Sequence, residues 1–178
     1  GSYYLTMVNK GDKGEGKVFR DENEAIMAYA SKVITLQAPI KVRRTREVNG
    51  EVRSKLVSTT AGRIIFNQPI PQDLGYVDRN DPETMFNFEV DFQVTKKNLP
   101  DIISRCLAIH GTKPTSEMLD RIKAQGYKYS TISGITVAVC DAVIPPQKPE
   151  LLAEADERVS KVIKQFNRGL ISNEERYN

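Results

Sequence analysis

The 178-residue sequence has no tryptophan, one histidine and two cysteines, and each scarcity closes off a class of chemistry. His110 has no second histidine to share a metal and no nucleophile at a recognisable spacing, so a triad or a His-based metal site is excluded. Its place at the end of a predicted helix suits a charge interaction with the helix terminus. Cys106 and Cys140 lack CxxC spacing and read as buried thiols of a reducing cytoplasm, not as a disulfide. Apolar runs stay far below the ~18 residues of a membrane span, and no signal peptide is visible. The loop Gly11–Gly16 lacks the GxxxxGK[ST] spacing of a phosphate cradle and reads as a solvated turn. Asp120 and Asp141 are isolated, so no cluster of carboxylates suggests Mg²⁺. No residue is assigned a catalytic or metal-binding role.

The bulk composition fits a soluble globular chain of one domain or one domain with an appendage: 39% hydrophobic, 28% charged, net charge +3. A dedicated nucleic-acid domain concentrates more positive charge than this. Locally, however, Lys41–Arg46 (KVRRTR) holds four cations and no acid. The chain opens Gly-Ser without a Met and ends just after a helix-start signal, which leads us to expect a piece of something larger.

In chain order, Tyr3–Met7 alternates weakly and predicts an edge strand. Asp21 with Glu24 has the form of a capping box, opening a helix through Ala25, Ile26, Tyr29 and Val33 that should end near Gln37, before Pro39. Ile40, Val42, Val48, Val52 and Leu56 share one parity around Asn49-Gly50, a type I′ turn signal, and predict a β-hairpin over 40–58. Arg44, Arg46, Arg53 and Lys55 make it basic, either as a solvated face or as a wall facing phosphates. Ile64–Phe66 reads as an apolar strand. Gln72–Thr95 reads as a long, partly ordered loop tolerant of length change. Asn98 should cap a helix with Ile102, Ile103, Cys106, Leu107 and Ile109 inward and Gly111 as its stop. Thr115 or Ser116 should cap another, stopped by Gly126. The crossing Tyr127–Gly134 then leads to a strand carrying Ile135, Val137 and Val139, with Gly126 and Gly134 setting its angle. Pro145-Pro146 breaks the chain.

The last segment carries the clearest periodicity. Leu152, Ala155, Val159, Val162 and Phe166 step 3, 4, 3, 4, an a/d seam over two heptads. The helix from about 149 to 168 would be roughly 29 Å long. Gly169 ends it, and Ser172 with Glu175 forms a second capping box. The pattern predicts the first arm of an antiparallel coiled-coil hairpin with its tip near Arg168–Asn173.

Several words of the sequence, taken in order, are similar to one family: GSYYLTM at 1–7, GEGKVF at 14–19, APIKVR at 38–43 and TTAGRIIFN at 59–67. They continue with MLDRIKAQG at 118–126, YSTISGIT at 129–136, DAVIP at 141–145 and QFNRGLISNEERYN at 165–178. The chain resembles the β′ (largest) subunit of bacterial DNA-directed RNA polymerase, in the version of low-GC Gram-positive bacteria. Residues 72–98 match least.

The resemblance implies an α+β fold: a small mixed α/β pore domain at 1–144, with a β-hairpin and several short helices, and the start of the funnel domain at 145–178, a protruding long helix with the tip of the coiled coil. It implies a nucleotidyltransferase that copies a DNA template into RNA, of which this segment would line the secondary channel for NTP entry and backtracked RNA. The segment alone should be inactive, since the Mg²⁺-binding aspartates would lie outside it and no cofactor is expected within it. Lys41, Arg43, Arg44 and Arg63 become candidates for the channel wall. Arg168, Asn173, Glu174, Glu175, Arg176 and Asn178 become candidates for a tip that docks transcript-cleavage-type factors. The implied partners are the β, α and ω subunits, DNA, RNA and NTPs, with a cytoplasmic location and no membrane. A free-standing coiled-coil interaction module, or a small basic hairpin protein that binds single-stranded RNA, is the competing expectation.

Overall fold

A computed structural model describes residues 1–48 and 50–177. Among them are seven helices and one three-stranded mixed sheet, an α+β architecture. The chain divides into two compact units, Gly1–Ile135 and Thr136–Asn178.

In the first unit, β1 (Val18–Phe19) runs parallel to β2 (Ile40–Val48), which pairs antiparallel with β3 (Glu51–Thr59). The predicted hairpin is present. Of the predicted Asn49-Gly50 turn, Asn49 lies outside the described residues; Gly50 has φ +83°, a region glycine enters freely. Ile40 faces Thr59 and Val42 faces Val57. A two-residue loop makes even positions of one strand face odd positions of the other. The shared parity of the sequence pattern is therefore misleading: Val52 and Leu56 lie on the face opposite Ile40 and Val42, exposed at 74 and 44%.

Several helices differ from the expectation. The first seven residues do not form an edge strand; Ser2–Thr6 is α1, with Leu5 and Thr6 fully buried. Thr6 donates its hydroxyl to Ser2 O at 2.8 Å and accepts from Val94 N at 2.8 Å, which ties the turn to the core. α2 (Glu22–Ala30) starts as expected, with Asp21 accepting from Glu24 N at 2.8 Å. It stops well short of Gln37, because Lys32 turns left-handed (φ +58°) and leaves Val33 exposed beyond the helix.

Ile64–Phe66 is not a strand but the centre of α3 (Ala61–Asn67), capped by Thr60, which accepts from Arg63 N at 3.1 Å. Six of its seven residues are buried, so no polar face betrays a helical period. Gly62 lets α3 approach α1: a Cβ there would collide with the Leu5 carbonyl and stand 3.2 Å from Leu36 O.

α4 (Leu99–His110) ends at Gly111 as predicted. Asn98 stands at its N-cap as predicted but makes no side-chain capping bond; its side chain accepts instead from Thr95 N at 3.1 Å. Only Ile102 and Cys106 of the expected stripe are fully buried, with Leu107 and Ile109 about half exposed. α5 (Thr112–Ile132) begins before Thr115, whose hydroxyl bonds back to Gly111 O at 2.7 Å, and it runs straight through Gly126. Gly126 is thus a helix-interior residue, not a stop or a crossing point. The backbone of Gly1 lies against it, and the turn out of the helix comes at Gly134 (φ +64°).

Residues 68–98 hold no helix or strand, yet they contribute Ile70, Leu74, Met85, Phe86, Phe88, Val90 and Val94 to the core. Side-chain bonds replace the missing ladders. Asn67 donates to Val90 O at 2.9 Å and accepts from Val90 N, and Arg79 donates to Met85 O and Asn87 O, each at 2.8 Å.

In the second unit, residues 137–139 do not form a sheet strand; Val139–Asp141 is a single 3₁₀ turn. Cys140 is exposed there, not buried, while Cys106 is buried and both are free thiols. α6 (Lys148–Asn167) matches the predicted long helix, and Gly169 (φ +68°) ends it. α7 (Asn173–Tyr177) opens on the predicted capping box: Glu175 N donates to Ser172 Oγ at 3.2 Å, and Ser172 N to Glu175 Oε2 at 2.8 Å.

Candidate functional site

The hairpin carries most of the charge asymmetry. Residues 40–59 hold six cations and two acids, a surplus greater than the net charge of the whole chain. Strand alternation divides those cations between two faces. Lys41 and Arg43 point to the open face, opposite Ser58 and Leu56, and both are exposed. The ion pairs around the hairpin involve Arg20, Arg44, Arg53, Lys55, Arg63 and Arg79; Lys41 and Arg43 take part in none of them. Arg43 borders an open cleft of about 320 Å³ that Arg20, Asp21, Glu22, Asn23, Arg44 and Thr45 also line. Arg20, which sequence reasoning did not single out, brings a third guanidinium to that cleft, beside Arg43 and Arg44.

Arg44 lies on the inner face. Its Nε pairs with Glu22 Oε1 at 2.9 Å, its Nη1 donates to Phe86 O at 2.7 Å, and the guanidinium stacks 3.9 Å from the centre of the Phe88 ring. Burial lowers its pKa, opposed by Glu22. Arg46, on the same face, is lowered by burial and then by Arg79 and Arg44. Behind them Glu89, 1% exposed, takes Arg79 at 2.8 Å and the Tyr76 backbone N–H at 2.8 Å. Arg79 and Glu89 sit in the irregular segment, where no periodicity marks them.

Arg63 extends from α3, donating from Nε to Thr6 O at 3.1 Å and from Nη1 to the backbone and carboxylate oxygens of Asp91, each at 2.9 Å. Asp91 is raised by burial, partly offset by Arg63. Of the four wall candidates, two are open to solvent and two bolt the surrounding structure together.

The second candidate surface is the end of α6 and the turn after it. Leu152 and Val159 are each 55% exposed, Ala155 is exposed, and Val162 and Phe166 are half-buried. Leu151 and Ile163, outside the predicted seam, widen the apolar stripe at 62 and 46% exposure. Arg158–Glu154 and Lys161–Glu157 pairs, at 2.6 and 2.8 Å, dress the helix elsewhere.

At the tip, Arg168, Asn173, Glu174, Glu175 and Arg176 are all exposed; Asn178 lies outside the described residues. Glu175 is engaged in the capping box, and its bonds to the Ser172 N–H and hydroxyl lower its pKa. Arg176 stacks 4.5 Å from the centre of the Phe166 ring. His110 meets Asp73 Oδ1 at 2.7 Å, a partner no local pattern pointed to. Among the described residues no three His, Cys, Asp or Glu side chains come together as a metal site would require, and no helix is long and apolar enough to cross a membrane.

Comparison with known proteins gives this geometry a context. The family model for RNA polymerase Rpb1, domain 3, matches residues 1–142. The chain is 55% identical over 177 residues to a protein of Clostridium perfringens named DNA-directed RNA polymerase subunit beta', covering 99% of this chain. It is 52% identical over 178 residues to the protein of that name from Acetivibrio thermocellus, and 55% identical over 177 residues to that of Caldanaerobacter subterraneus subsp. tengcongensis. In each case it spans 15% of the relative's length. The chain belongs to the RNA polymerase Rpb1 domain 3 family.

Proposed function

We propose that this chain works as part of a DNA-directed RNA polymerase, with residues 1–144 as a wall of the channel by which NTPs enter and backtracked RNA leaves. Residues 145–178 begin the funnel, with α6 as the first arm of a coiled coil and the turn before α7 as a docking tip for transcript-cleavage-type factors. Assembly with β, α and ω subunits, action on DNA and RNA, and a cytoplasmic location follow from the same reading. Catalysis is not carried by these residues. Among the described residues no three His, Cys, Asp or Glu side chains come together to hold Mg²⁺, and in this reading the ion would be held elsewhere in the subunit.

The observation that carries the reading is the pair Lys41 and Arg43, exposed, on one face and, among the described residues, outside every ion pair of the hairpin. Cations left without a protein partner focus the field at a narrow entry and raise the local concentration of a polyanion. Arg44 and Arg63 serve the same wall from behind, by fixing the hairpin to Phe86 and Phe88 and fixing α3 to Thr6 and Asp91.

In the complete polymerase, Lys41→Ala with Arg43→Ala should raise the apparent KM for NTPs while kcat stays near wild type. An unchanged KM would remove the support for a wall role.

A further inference from the structure

Val137, Val139, Val143 and Ile144 are 85, 95, 84 and 68% exposed. Single exposed aliphatics are ordinary on a protein surface, but a cluster of this kind within one short segment marks a contact site. The segment has a defined shape held by its own bonds. Ala138 N donates to Asp141 Oδ2 at 2.7 Å, Asp141 N to Ala138 O at 3.0 Å, and Ala142 N to Val139 O at 3.2 Å. Asp141 is the only charged residue of the segment, and its carboxylate is turned onto this backbone. Pro145-Pro146 stiffens the exit. An apolar surface that is shaped in advance docks without the entropy loss of ordering it.

The partner should be apolar, because the four large side chains of the strip are aliphatic and its one carboxylate is bonded to the strip's own backbone. The chain spans 15% of the relatives' length, and in a polypeptide of that length the remaining part is covalently attached to the strip. A tethered surface is present at an effective concentration of about millimolar, an advantage that a separate subunit lacks. We propose that Val137, Val139, Val143 and Ile144 form a docking strip that is buried against an apolar surface of the same polypeptide, in the part of the subunit outside these residues.

Cys140, exposed in the middle of the strip, is a native reporter. In the complete polymerase, its alkylation by N-ethylmaleimide, followed on its own peptide by mass spectrometry, should be slower by about tenfold or more than in the guanidinium-unfolded enzyme. Retardation of less than about tenfold overturns the proposal. The occupant is read separately: Val139→photoleucine in the complete polymerase should cross-link on irradiation to a peptide of the same subunit. Cross-links to another subunit, or none, overturn it as well. These outcomes do not depend on whether Lys41 and Arg43 influence the KM for NTPs, so this proposal and the channel reading can fail independently.

Discussion

Among single residues, a close backbone approach at Gly62 and the hydrogen bond from Tyr76 to Asp101 hold the first unit together. Gly62→Ala places a methyl group against the Leu5 carbonyl, where backbone must move to make room. It should destabilise the fold by about 2 kcal/mol, the usual cost of overpacking, and a denaturant midpoint equal to wild type would contradict the close approach of α1 and α3. Tyr76 offers a test in alkali. Burial, then its hydrogen bond to Asp101, pushes its pKa up to about 12 from 10.0. A group raised on folding stabilises fully below its unfolded pKa and loses that contribution as pH rises through the folded value. Stability should therefore fall between pH 10 and 12 through this residue, and Tyr76→Phe should flatten that part of the denaturation profile. A variant with the same alkaline slope as wild type would refute the assignment.

Elements were legible in the sequence in proportion to how amphipathic they are. α6 shows its period because one side is charged, and the hairpin shows its turn because Asn-Gly supplies the backbone that a two-residue loop needs. α3 hides because it is buried on nearly every side, and α1 because five residues are too few for a period. The run around Val137 looked like a strand because β-branched alternation is what a sheet selects, yet a strand also needs an edge to pair with. The start of α7 was legible through Ser172 and Glu175. The stack of Arg176 on Phe166 was not, because the intervening turn brings them together. This division matters for mutagenesis: Arg176→Glu disturbs both charge and packing, whereas Glu174→Lys changes only an exposed charge. In the complete polymerase, Glu174→Lys should weaken factor-stimulated RNA cleavage and leave elongation intact. Undiminished cleavage stimulation would mean that the tip is not where such factors dock.

For the molecule as a whole, the central matter is how positive charge is distributed. The basic stretch Lys41–Arg46 was visible at once, but its sorting was not. Lys41 and Arg43 could be told from Arg44 only once the sheet had faces. Arg63 could be recognised as a bolt only once Thr6 and Asp91, distant in sequence, stood beside it. Of the four cations proposed for the wall, Lys41 and Arg43 are exposed, on a hairpin whose surplus exceeds the net charge of the chain. Attraction of this kind acts through solvent and is screened over about 8–10 Å at physiological salt. The most direct measurement is the KM for NTPs of the complete polymerase across a range of ionic strength, for wild type and for Lys41→Gln with Arg43→Gln. A channel wall predicts that wild-type KM rises with salt, that the variant starts higher and rises less, and that the two curves converge at high salt. Curves that coincide throughout, or stay parallel, would contradict it.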